Sequence, residues 1–69
     1  MNKIEKLYEL KDLAERIILD EEWNDIRPIV YNPEDIYILN ERTEKEIRIE
    51  ITDNEETLRE KIRKSYERE

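Results

Sequence analysis

A chain of 69 residues with no cysteine and no histidine can use neither a disulfide nor an ordinary zinc site as a staple, so apolar packing must hold the fold by itself. At this length folding hides only about 60% of the surface that the unfolded chain exposes, and the margin is narrow. Where the apolar residues fall therefore decides whether the chain folds at all. Charged residues make up 48% of the chain and hydrophobic residues 36%. Such a composition suits disorder when apolar residues are scattered. Here Ile, Leu, Tyr and Trp recur with clear periods, which indicates one folded domain spanning residues 1–69.

The first run is helical. Asn2 is placed to cap a helix, and Glu5 three residues later completes a capping-box pattern. Ile4, Leu7, Leu10, Ala14, Ile17 and Ile18 then share one face, widened by Tyr8 and Leu13. The pattern predicts a central packing helix over Lys3 to Leu19, frayed toward Asn24. Ile26 to Tyr31 reads as a strand, and Pro28, which cannot donate to a ladder, places it at a sheet edge. Asn32-Pro33-Glu34-Asp35 suits a type I turn, with Asn first and Pro second. The same residues also suit a helix start, but the β-branched and aromatic run Ile36-Tyr37-Ile38-Leu39 favours turn then strand. After a polar loop over Glu41 to Lys45, Ile47, Ile49 and Ile51 alternate with Arg48, Glu50 and Thr52, predicting a strand near 46–52 with one buried and one wet face. Asp53 or Asn54 is expected to cap a second helix running through Arg68, with a narrow stripe of Leu58, Ile62, Ser65 and Tyr66.

The expectation is an α+β fold in the order α-β-β-β-α: a three-stranded antiparallel meander with two helices packed on one face. That order and length resemble double-stranded-RNA-binding domains in topology. Those domains grip phosphates with lysines that open the last helix. In this chain the helix opens with Asp53-Asn54-Glu55-Glu56, the opposite charge, and no motif is shared.

Much chemistry is excluded by composition. Without Gly there is no phosphate-cradling loop and no dinucleotide fingerprint. Without His or Cys there is no thiol nucleophile and no imidazole base, and Ser65, the single serine, has no histidine to activate it. Carboxylates remain, and paired carboxylates can hold Mg²⁺. The candidates, Asp20, Glu21, Glu22 and Asp25 or Asp53, Glu55 and Glu56, read as solvated faces in a chain with 20 acids. The second group also suits a helix N-terminus. No catalytic residue, cofactor or metal is expected.

Charge says more. Residues 20–56 hold 13 of the acids against Arg27, Arg42, Lys45 and Arg48, whereas the first 19 residues balance. A clustered negative surface attracts basic partners and repels nucleic acid and anionic membranes. The expected function is a small, acidic, non-catalytic protein-binding module, a regulator or inhibitor whose carboxylates stand where phosphates would on a basic, nucleic-acid-handling protein. Asp20, Glu21, Glu22, Trp23 and Asp25 are the candidate contact residues. Trp23 suits a binding anchor but reads better as a lid over the core. The alternative is a designed or orphan scaffold with no evolved function. High charge without Gln or Cys fits a hot-growing source or its viruses and equally a computational design. The lack of Gly, with single Ala and Val residues, favours the former. No stretch approaches the roughly 20 apolar residues of a membrane span, and the N-terminal segment lacks an apolar h-region. A thermostable, soluble cytoplasmic monomer or weak homodimer is expected, binding neither nucleic acid nor membrane.

Overall fold

The computed structural model describes residues 2–67. Helix α1 spans Lys3–Glu21, strands β1, β2 and β3 span Ile26–Asn32, Asp35–Asn40 and Lys45–Arg48, and helix α2 spans Glu55–Ser65. The strands form one antiparallel sheet in the order β1-β2-β3, so the chain has the α+β, α-β-β-β-α architecture that its periodicities predict. Both helices cover one sheet face. The inward residues Ile26, Ile36, Ile38 and Ile49 join Leu7, Leu10, Ala14 and Ile17 of α1 and Leu58 and Ile62 of α2 in one core. No described helix is long and apolar enough to cross a membrane.

Caps and turns explain the boundaries. Asn2 Oδ1 accepts from the Glu5 N–H at 2.8 Å, which opens α1 with one half of the anticipated box. At its far end α1 outruns the predicted Leu19 by two residues and then stops rather than fraying. Glu22 turns left-handed (φ 55°) and caps the last turn, its N–H directed at the Ile18 and Leu19 carbonyls. The β1–β2 connection is a turn, not a helix start. Asn32 Oδ1 accepts from Glu34 N–H at 2.9 Å and Asn32 Nδ2 donates to Asp35 at 2.6 Å. Pro33 cannot reach the positive φ that twist-matched hairpin turns require, and the register slips beside it, between Val30 and Asn32.

The third strand departs from its prediction. It ends at Arg48, and the ladder gives only one further bond, Ile49 N–H to the Ile36 carbonyl at 2.9 Å. The chain then turns, closed by Asp53 N–H to Glu50 O at 3.0 Å and Glu50 N–H to Asp53 Oδ2 at 2.8 Å. Ile51 consequently lies on the turn, 45% exposed, and does not continue the buried face of Ile47 and Ile49. Asn54 is the cap of α2, with Thr57 completing a reciprocal box. The helix closes at Ser65 with Tyr66 as its cap; the predicted end, Arg68, lies outside the described residues.

Both sheet edges are blunted. Glu41 N–H donates to Asp25 O at 2.8 Å, so by antiparallel alternation Ile26, Pro28 and Val30 turn their backbone groups outward. Pro28 removes one donor from that row, as expected of an edge strand. Beside β3, Lys61 Nζ donates to the Arg48 carbonyl at 2.9 Å.

Candidate protein-binding surface

The fold gathers Asp20, Glu21, Glu22, Trp23 and Asp25 at the C-terminal end of α1 and the turn into β1, but they do different things. Glu21 reaches across to α2, where Arg59 Nη1 donates to its carboxylate at 2.7 Å. Trp23 is half-buried and packs on the core. Its backbone N–H donates to Ile18 O at 3.1 Å and its carbonyl accepts from Ile26 N–H at 3.2 Å; the indole, packed against the core, closes that end as a lid. The Asp25 carboxylate sits near the Tyr66 phenol, whose pKa is raised first by burial and then by that charge, with Arg42 opposing. Among the described residues, no ion pair engages Asp20, Glu22 or Asp25.

These acids stand on the wrong pole of their helix. A helix C-terminus carries about half a negative charge, and each charge of like sign there costs roughly 0.3–1 kcal/mol. The last turn of α1 has no basic residue, and only Glu21 is compensated, by Arg59. By contrast α2 opens with Glu55 and Glu56 and closes with Arg63 and Lys64, the arrangement the dipole favours.

The sheet face away from the helices forms a second surface. Tyr31, Asp35, Tyr37, Glu46 and Arg48 line a shallow open basin. Its groups satisfy one another. Tyr31 meets Tyr37 edge to face with centroids 5.4 Å apart, and its hydroxyl donates to Glu46. That bond, with a smaller contribution from desolvation, raises the phenol's pKa. Arg48 pairs with Asp35 at 2.8 Å and lies 6.0 Å from the Tyr37 centroid. The two tyrosines serve sheet packing, as their place on the strands suggests.

Two polar clusters were not legible as such. Asp53 is buried and accepts from Lys61 Nζ at 2.6 Å, Glu50 N–H at 2.8 Å and Thr57 Oγ1 at 2.8 Å. Burial alone raises its pKa, but these bonds, Lys61 first, outweigh burial and hold the carboxyl below its usual range. The four-residue spacing of 53, 57 and 61 was the available signal. Fully buried Asn40 donates to Ser65 Oγ at 3.0 Å and accepts from the N–H groups of Arg42 and Thr43 at 2.9 and 3.1 Å. Thr43 Oγ1 bonds the Ser65 carbonyl at 2.6 Å. The network ties the β2–β3 turn to the end of α2. Both clusters are closed upon themselves. Among the described residues, no group of three or more His, Cys, Asp or Glu is disposed to hold a metal ion. No family model, no curated protein and no solved structure matches the chain.

Proposed function

We propose that the domain is a small, acidic, non-catalytic binding module that docks on a basic protein surface of the kind that holds nucleic acid, using Asp20, Glu22 and Asp25 around Trp23. The observation that carries this reading is the placement of acids at the C-terminus of α1, against the helix dipole and with no basic residue in the last turn. Local electrostatics disfavours that placement, and local rules are broken most often where function demands it. Glu21, first grouped with the contact residues, is engaged by Arg59 and supports the helix pair. The reading as a phosphate mimic adds that the carboxylates steer encounter with cationic side chains and keep the domain off nucleic acid.

The test is association with basic nucleic-acid-binding proteins at two salt concentrations. Affinity is expected to fall steeply with salt, because exposed charges are screened beyond about 8 Å at physiological ionic strength. Asp20→Lys and Glu22→Lys together, both at exposed positions, should slow association at least tenfold while leaving the circular dichroism unchanged, since exposed substitutions usually cost within about 0.5 kcal/mol. An affinity indifferent to salt and to the reversals, or tight binding of the domain to duplex RNA, rejects the reading. A scaffold without a partner would associate with none of them.

A further inference from the structure

The flank of α1 that overhangs β1 is unlike the rest of the surface. Ile4, Tyr8, Lys11, Glu15 and Leu19 follow at three- and four-residue spacing and so share that flank. Ile4, Tyr8 and Leu19 are all exposed, Leu19 to 76%. Lys11, Glu15, Ile18, Leu19, Ile26 and Pro28 line a groove between helix and strand. Scattered exposed apolar residues are ordinary, but a helical row of them beside a groove lacks a cover.

Charge selects the occupant. Over α1 as far as Leu19, Lys3, Lys6, Lys11 and Arg16 cancel Glu5, Glu9, Asp12 and Glu15, whereas residues 20–56 are strongly acidic. A surface shaped for a cationic segment would be acidic; this one is neutral and mixed in sign. We infer that it is covered by a second copy of this chain, the two α1 helices lying antiparallel about a twofold axis between Lys11 and Asp12. In that arrangement each contact occurs twice. Ile4 meets the second copy's Leu19, Tyr8 lies against its Glu15, and Lys11, which bonds Glu15 of its own helix at 2.5 Å, also reaches the second copy's Asp12. The arrangement also answers the misplaced acids: Asp20 and Glu22 of one copy come to the N-terminal pole of the other copy's α1, beside its Lys3, where negative charge is favoured. Charged groups pair within the chain on both surfaces, through Arg48–Asp35 and Arg27–Glu41 on the open sheet face and through Lys11–Glu15 on this flank; the flank is preferred for its exposed aliphatic ends, Ile4 and Leu19. A helix of 19 residues is about 28 Å long. One such pair buries on the order of 1,000 Å², so the dimer is weak and reversible. This inference does not depend on the binding reading and competes with it for Asp20 and Glu22, which face the second copy in the dimer, so that a basic partner would dock on the monomer.

Sedimentation equilibrium from about 10 µM to about 1 mM, the span suited to a weak interface, decides it. The chain should pass from monomer to dimer. Leu19→Lys should raise the dissociation constant at least tenfold with unchanged circular dichroism, because Leu19 is exposed in the monomer. Tyr31→Lys, on the open sheet face, should leave the dissociation constant unchanged. Lys11→Asp should weaken the dimer, and Lys11→Asp with Asp12→Lys should restore it, a rescue that a merely structural role would not give. The two readings fail separately, because Asp25→Asn, outside α1, should slow docking on a basic partner and leave the dimer unchanged. A monomer throughout the range, or a dimer broken by Tyr31→Lys and not by Leu19→Lys, overturns the inference.

Discussion

Asp53 is the residue whose chemistry matters most to stability. Its carboxylate is buried with three donors, and its pKa is lowered in the folded state. A carboxyl with a depressed folded pKa binds its proton less readily than in the unfolded chain, where the value is about 3.9. Its contribution is therefore fully present above that unfolded value and is lost as pH falls through the folded one. Asp53→Asn should cost about 1–3 kcal/mol at pH 7 and flatten the loss of urea stability below about pH 4. An unaltered acid limb of the stability profile would remove Asp53 from this role. Two other residues carry backbone strain. Glu22 and Glu44 both hold positive φ, 55° and 63°, in a chain with no glycine to take such positions. The left-handed region costs a non-glycine residue roughly 1–2 kcal/mol, and glycine's extra unfolded freedom returns about 0.5–1. Glu22→Gly and Glu44→Gly should each stabilise the fold by up to about 1 kcal/mol, read as a raised urea midpoint; a lowered midpoint at either site would mean that its side chain matters more than its backbone.

At the scale of elements, the sequence was informative wherever a periodic run met a specific end signal. Pro28 placed β1 at the edge, Asn32-Pro33 made the hairpin turn, and Asn54 capped α2. Alternation misled where nothing marked the end of a run. Ile51 continues the pattern of Ile47 and Ile49, but the chain leaves the ladder after Ile49 because Asp53 closes a turn on Glu50. That closure depends on an aspartate three residues ahead, which a period-two pattern does not record. The difference is measurable. Ile49→Ala removes a side chain that is 1% exposed and should cost about 2–5 kcal/mol, whereas Ile51→Ala should stay within about 0.5 kcal/mol. Equal costs in denaturant titration would restore Ile51 to the buried face. The candidate surface was legible only in part. The cluster of acids is plain in the sequence, but Glu21's engagement by Arg59 joins residues 38 apart, beyond any local pattern. The Asn40–Ser65 pair, 25 apart, was hidden for the same reason.

For the whole molecule, the two-layer arrangement leaves a sheet whose borders are both obstructed, by Pro28 on one side and by Lys61 at the Arg48 carbonyl on the other. Pro28→Thr restores the missing donor on β1. It should leave the monomer folded and shorten the lag of thioflavin-detected aggregation, since open edges template further strands; an unchanged lag would show that Pro28 guards nothing. The obstruction bears on how this domain behaves when crowded. With both borders obstructed, accretion strand upon strand is slowed. Rising concentration should therefore favour small, countable, reversible complexes over fibrils, which need an unending border.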